Sequence, residues 1–459
     1  MFNVFDLDNT KKKARQDEWQ EQTQSVFASV EVGWKSMLYL TLTGRNDWAS
    51  QLANSSTPCF FYPSVGLSGV ISEMLTLPEF IDYMKVRGSF SSVGMPYPRN
   101  LTSPTYEYDE ANQQWKPKTH YPIKDLKPER TNSWELGLDM RLFKDFSLGF
   151  SWYLANTFNQ TFDPKVSVSS GYSKIYLQTG YVRNSGVELS LGYGHTWNNH
   201  LHWESNFTLS HNKNTIKDLV TSYIHPETGL PITQNRLDVG GLGKARFILK
   251  KGGTLGDLYT QSDLKRDNSG MVEIDPSGAL TTEDNLPDIK LGSVFPKANL
   301  AWNNRFEWRG ISLSALFTAR IGGIAYSATQ AAMDQYGVSE RSAQARDNGG
   351  VLLNGRTLVD AQTYYSLIGN SSGLPQYYTY SATNVRLQEA SVGYTIPRKW
   401  LGGVCDINVS VVGRNLWMIY CRAPFDPEAV VNTGNYYQGI DNFMLPSTRN
   451  IGVNVKINF

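Results

Sequence analysis

Three histidines, His195, His200 and His202, fall within eight residues in "HTWNNHLH". Clustered imidazoles are the side chains that hold zinc, but no cysteine pair or HExxH motif completes a ligand set. The stretch joins two alternating runs and reads instead as a solvated turn. His120, His211 and His225 are scattered, and the three cysteines, Cys59, Cys405 and Cys421, form neither a CxxC pair nor a disulfide framework. No GxSxG elbow or phosphate-binding glycine loop is present, and the Gly-Gly pairs suit turns. The expectation is no enzyme, no metal and no cofactor. What the sequence does supply is aromatic rings among amides: Tyr97, Tyr106, Tyr108 and Trp115, then Tyr364, Tyr365, Tyr377, Tyr378 and Tyr380, then Tyr436 and Tyr437. Rings stack on the C-H faces of sugars while Asn, Asp and Arg hydrogen-bond the hydroxyls, and peptides use extended backbone pairing. The same tyrosines also suit packing against one another.

Those residues sit in long polar segments, so other elements must hold them, and the strongest signal elsewhere is period two. The last nine residues place Ile451, Val453, Val455, Ile457 and Phe459 on one side and Gly452, Asn454, Lys456 and Asn458 on the other. Such alternation is a β-strand with one apolar and one polar face. It recurs in "WELGLDMRLFKDFSLGFSWYLAN", where Trp134 to Leu142 and Phe146 to Leu154 flank a Lys144-Asp145 turn, and again around residues 26–42, 187–209 and 298–317. About 15 such segments have the ~9 to 11 residues with which a tilted strand crosses a bilayer. No apolar run reaches the ~18 to 20 residues of a membrane helix, and the first residues lack the apolar core of a signal peptide. With 12 Trp, 25 Tyr, 20 Phe and 39 Gly at a net charge of +1, the composition suits a β-rich protein and gives no reason to expect nucleic acid.

Connections alternate between short and long. Short ones cover 34–37, 143–146, 194–201, 251–255, 308–311 and 397–404; long ones run through 46–60, 95–130, 157–180, 213–243, 263–296, 321–383 and 415–447. Long loops confined to one end predict an antiparallel transmembrane β-barrel with short periplasmic turns, long extracellular loops, apolar faces to lipid and polar faces to the lumen. Strand parity places every long loop outside the cell, back to the strand at 25–34. Residues 1–24 then read as an extracellular loop remnant and 25–459 as one partial barrel domain in the outer membrane of a Gram-negative cell. Lys456 fixes the register, since on the lipid face it would cost ~2 to 4 kcal/mol at mid-membrane. Trp34, Trp134, Trp152, Trp203, Trp302 and Tyr394 fall on lipid-facing or interfacial positions. A passive porin-type barrel and a soluble extracellular glycan-binding β-protein share parts of this pattern.

The stretches "LTLTGRNDWAS", "YPSVGLSGVISEM", "LKPERTNSWELGLDMRLFKD", "YVRNSGVELSLGYG", "NVRLQEASVGYTIP" and "VVGRNLWMIYCRAPFDPEAV" resemble, in order, barrel segments of the SusC/RagA family of TonB-dependent outer-membrane transporters. The resemblance implies a barrel of about 22 strands around a plug. It implies import of large nutrients, oligosaccharide or glycan first and peptide second, beneath a SusD-like surface lipoprotein. The TonB-ExbB-ExbD complex would act through an N-terminal part, so about seven strands, the plug, the TonB box and the signal peptide are expected upstream of this C-terminal part. Phe459 resembles the terminal aromatic read by the barrel-assembly machinery, and Asp426 and Glu428 of the family-like "DPE" read as residues that fix their loop. The loop rings Tyr97, Tyr106, Tyr108, Trp115, Tyr364, Tyr365, Tyr377, Tyr378, Tyr436 and Tyr437 are then candidate substrate contacts, or packing partners for each other and the lid.

Overall fold

The alternating runs become antiparallel hairpins because aromatic and β-branched residues favour a pleated backbone and the turns accept positive φ. Arg309 and Gly310, the two central residues of one such turn, sit at φ 46° and 90°, and Lys35 and Ser36 at 50° and 56°. A computed structural model describes residues 19–53, 55, 57–96, 101, 107–109, 113–116, 120–121, 127–162, 174–198, 200–224, 231–434 and 437–458. Its main feature is one antiparallel sheet of thirteen strands. In order these are β1 (Thr23–Trp34), β2 (Leu38–Ala49), β3 (Cys59–Val70), β4 (Ile81–Met95), β5 (Glu129–Leu142), β6 (Phe146–Phe162) and β7 (Leu177–Thr196). They continue as β8 (Leu201–Asp218), β9 (Ala298–Trp308), β10 (Ile311–Ile321), β11 (Asn384–Ile396), β12 (Asp406–Cys421) and β13 (Asn450–Asn458).

Register makes the two faces explicit. Leu138, Phe150, Leu189, Leu209, Leu300, Ala319 and Val385 form one continuous cross-strand row on the outer face. Ser151, Glu188, Ser210, Asn299 and Arg320 form the corresponding row on the concave face. Lys456 lies on the concave face beside Ser410 and Asn408, as its predicted register requires. Toward the short turns the outer face carries linked rings: Phe146 and Tyr193 at 4.7 Å, Tyr193 and Trp203 at 5.1 Å, Trp203 and Phe306 at 5.6 Å. This is the position of an interfacial girdle, where an apolar ring with a polar tip is stable. Polar atoms on this face are paired: Trp302 Nε1 donates to Ser205 Oγ at 3.0 Å, and Trp203 Nε1 to Asn304 Oδ1 at 3.3 Å.

The sheet is open. β1 and β13 each have a single strand neighbour among the described residues and are exposed along their length. The predicted loop remnant at 1–24 lies mostly outside the described residues, as does Phe459.

Thirteen wall strands replace the expected fifteen, and the missing pair has a definite location. The 251–255 connection is not a periplasmic turn: it docks on the extracellular end of β8, where Gly252 N-H donates to Ile216 O and Ile216 N-H donates to Gly253 O, both at 2.8 Å. The strands it joins, Ala245–Lys250 and Asp257–Thr260, belong to a four-stranded sheet with Arg236–Leu242 and Ile289–Ser293. The two long loops read at 213–243 and 263–296 are thus parts of one loop, 219–297. Loop 322–383 also departs from a plain coil, because it contains helices α1 (Ala328–Gln335), α2 (Glu340–Asp347) and α3 (Ala361–Gly369). Each begins at a side-chain cap, Ser327, Ser339 and Asp360 accepting from Gln330, Ser342 and Thr363 N-H respectively.

Candidate functional site

Loops 219–297, 322–383 and 422–449 fold together into a cap above the concave face. Its core packs Phe247, Leu258, Leu264, Val294, Tyr326, Ile368, Tyr378 and Ile440, all essentially inaccessible. A second cluster seats the cap on the wall, joining Leu237, Leu249 and Leu255 to Val182 of β7 and Ile216 of β8. Asn214 Oδ1 accepts from Leu255 N-H at 2.9 Å at the same seam.

Buried polar groups tie the loops to each other. Asp263 accepts from Gln376 Nε2 at 2.5 Å and from Tyr377 Oη at 3.2 Å, bridging the first loop to the second. Asp334 is buried and meets Arg341, the Ser339 hydroxyl and Tyr378 Oη, the last at 3.0 Å. Burial pushes the Tyr378 and Tyr377 phenols well above the ordinary value, so both remain proton donors. A short parallel pairing of Ile324–Ser327 with Ile440–Asp441 ties the second loop to the third, reinforced by Ser327 Oγ donating to Asp441 at 2.5 Å.

At the top of β11, Arg386 grips Asp426 with two donors at 2.9 and 3.2 Å and lies 3.4 Å from Glu428, which also accepts from Asn384 Nδ2 at 3.3 Å. Burial alone would raise Asp426, but Arg386 and the Glu428 N-H outweigh it and hold the carboxyl below its ordinary range. Through these contacts Asp426 and Glu428 meet the top of β11.

Beneath the cap the concave face bears an open cavity of about 700 Å³ lined by Arg87, Asp139, Ser151, Glu188, Arg320 and Glu428 together with neighbouring wall residues. Arg87 binds Asp139 at 2.8 Å, Ser151 Oγ at 2.7 Å and Glu135 at 3.4 Å. Arg320 donates from Nη2 to Val294 O at 2.8 Å while its buried Nε has no partner among the described residues. The lining combines guanidinium, carboxylate, amide and hydroxyl groups on fixed strands, a surface suited to polar, hydrogen-bonding cargo. Sequence reading assigned no role to Arg87, Arg320, Arg386 or Asp263; strand parity turns the first three inward, and that parity was their available signal.

The candidate aromatic residues divide. Tyr108 and Trp115 pair across a small loop hairpin, Glu107–Asp109 with Gln114–Lys116, their rings 5.1 Å apart and both exposed. Tyr437 is partly exposed, 6.4 Å from Phe247. Tyr364, Tyr365 and Tyr377 are half-buried against the cap core, with Tyr364 and Tyr365 in edge contact at 5.2 Å. Tyr378 is wholly buried beneath Arg341, 4.8 Å from its ring, and has a core position rather than a surface one. Tyr97, Tyr106 and Tyr436 lie outside the described residues. At the periplasmic turn, His195 Nδ1 sits 2.8 Å from Asp145, and His202 Nδ1 lies 2.8 Å from Thr196 Oγ1.

Comparison with known proteins agrees with this geometry. The family model described as "TonB dependent receptor-like, beta-barrel" matches residues 2–416. Among curated proteins of Formosa agariphila, TonB-dependent receptor P3 is 23% identical over 94% of this chain and 45% of its own length, and TonB-dependent receptor P26 is 23% identical over 100% and 48%. The chain spans about half the length of the curated relatives it matches. Among solved structures, the RagAB peptide transporter superposes with a TM-score of 0.72 at 18% identity, over 96% of this chain and 48% of that one. The RagAB peptide importer in its closed-closed state gives 0.71 at 19%, over 95% and 48%.

Proposed function

This chain belongs to the TonB-dependent receptor-like β-barrel family of the outer membrane, and from that premise we propose that it forms the C-terminal part of the barrel of an energised importer. The cargo is a large polar nutrient, an oligosaccharide in the first reading. The observation that carries this is the cavity of about 700 Å³ under the cap, walled by charged groups, amides and hydroxyls on rigid strands. The exposed Tyr108–Trp115 pair supplies a stacking surface of the kind sugar rings use. A SusD-like lipoprotein closes over the extracellular loops, and TonB-ExbB-ExbD drives release through protein outside this chain. Strands outside this chain also satisfy the open edges of β1 and β13, because lipid cannot pair their N-H and C=O groups.

Peptide cargo is the second reading, favoured by the RagAB neighbours, which are described as a peptide transporter and importer. Titration calorimetry of the full-length transporter with a panel of neutral oligosaccharides and a panel of mixed peptides separates the two. Saturable binding of oligosaccharide, reduced about tenfold by Trp115→Ala, supports the first; binding confined to peptides replaces it with the second. Binding of neither, with free passage of small solutes through the reconstituted protein, would sink import altogether in favour of a passive pore.

A further inference from the structure

The outer face of the wall is not uniformly apolar. Outward positions of β1–β3 and β9–β13 carry no charged residue, whereas β5, β7 and β8 carry Arg130, Arg183 and Lys213. Each is outward by register. Arg130 pairs with Phe158, Arg183 with Asn156, and Lys213 with Ser185, and the row of Lys213 and Ser185 continues through Leu154 to Trp134.

Their height on the wall is also defined. Ten residues separate Trp203, in the aromatic chain near the periplasmic turns, from Lys213 on β8, and ten separate Tyr193 from Arg183 on β7. At ~3.4 Å per residue and a tilt of about 40°, that is about 25 Å along the membrane normal, the height of the apolar band. The cations therefore begin where the outer-leaflet headgroups lie, beside Trp134. In hydrocarbon they would be strongly unfavourable; at the boundary they meet the most polar part of the lipid.

Their hydrogen bonding to neutral groups holds them in place. Arg130 Nε donates to Ser92 Oγ at 2.6 Å, and Ser92 in turn donates to Asn132 Oδ1 at 2.7 Å. Arg183 Nε donates to Asn156 Oδ1 at 2.8 Å and its Nη2 to Tyr181 Oη at 2.6 Å, with the Tyr181 ring stacked on Phe158 at 4.8 Å. Among the described residues none of the three cations has a carboxylate partner within ion-pair distance. Neutral amides and hydroxyls aim the guanidinium groups without neutralising them, an arrangement that fits an external anion with several oxygens.

We infer that the outward face of β5–β8 at the extracellular boundary is a binding site for a phosphate-bearing lipid headgroup of the outer leaflet. Arg130 and Arg183 provide paired donors to phosphate oxygens and Lys213 a point charge below them, while Trp134, Leu154 and Val187 contact the acyl chains. The site faces away from the cavity, so it stands or falls separately from the cargo; it rests only on the outer-membrane placement.

The test uses the full-length transporter in neutral detergent, with native mass spectrometry and flotation on vesicles doped with bis-phosphorylated lipid A, with the same lipid after dephosphorylation, or with phosphatidylcholine alone. The expected result is retention of the phosphorylated lipid, weakened by raised salt and reduced about tenfold or more in an Arg130→Gln, Arg183→Gln, Lys213→Gln triple variant, with Lys144→Gln at a periplasmic turn unchanged. Heat-modifiable migration on gels checks that each variant is a folded barrel. If the triple variant does not fold, Lys213→Gln, at an exposed position, carries the test with an expected loss of a few-fold. Equal binding of the dephosphorylated lipid, equal binding by the folded variant, or displacement by equimolar inorganic phosphate would overturn the assignment.

Discussion

In the wall the largest apolar side chains, such as Trp134, Leu136 and Val392, point outward and stay exposed, while in the cap Phe247, Leu258 and Tyr378 are at or near zero exposure. The two regions share one strand-forming chemistry and differ in what covers the apolar face. Lipid covers the wall, so its stability rests on backbone pairing and on keeping charge out of the apolar band of the outer face. The cap must bury its own core in water, so it obeys the packing rules of a soluble domain, with close-packed side chains and a buried carboxylate, Asp334, held by Arg341 and Tyr378. A change that is harmless in one region is therefore damaging in the other.

The largest expected effect is in the cap. Phe247→Ala leaves a void in the fully packed cap core and should cost about 3 to 5 kcal/mol of cap stability. Hydrogen exchange within 219–297 would rise while gel migration of the barrel stays folded; equal loss in both would mean that cap and wall are one cooperative unit. Next comes the wall. Phe207→Arg on the outer face should cost about 2 to 4 kcal/mol near mid-membrane, whereas Thr208→Arg, one residue on and facing inward, should be nearly neutral. Chemical unfolding from lipid vesicles measures both, and similar costs would break the assignment of faces. Ser327→Ala removes the α1 cap and the contact to Asp441, and should cost about 0.5 to 2 kcal/mol, read as faster proteolysis within 322–383 and 422–449.

The smallest effect is one of pH. Arg236, donating to Asp288 at 2.7 and 3.0 Å, with Lys250 at 2.9 Å, holds that carboxyl below its ordinary value. Its stabilisation of the cap is complete above the unfolded value of about 3.9 and is lost as pH falls through the lower folded value. Acidification below about pH 4 should therefore loosen the cap before the wall, and Asp288→Asn should remove that increment of acid sensitivity.

Much of this division was legible in the chain. Val453, Val455 and Ile457 alternating with Asn454, Lys456 and Asn458 fixed both strand and face, because a sheet has period two and a lipid face excludes lysine. The segment 245–250 misled for a physical reason. Ala245, Phe247 and Leu249 alternate as in a wall strand, but Ile248 between them is equally buried, since cap residues cover both faces. Periodicity reports that a face is apolar and is silent on whether lipid or protein covers it. Removing two strands together also leaves every later direction unchanged, so parity could not expose the error. The cap's polar ties were illegible for another reason: Asp263 meets Gln376 and Asp334 meets Tyr378 across separations that only the folded loops create.

The short parallel ladder between Ile324–Ser327 and Ile440–Asp441 joins two loops rooted in different hairpins of the wall. Mechanically, that couples hinges which would otherwise swing alone. A force applied to either loop is shared through the Tyr326 and Ser327 backbone with the other, so the two bend as a plate does, with a stiffness set by their joint rather than by their length.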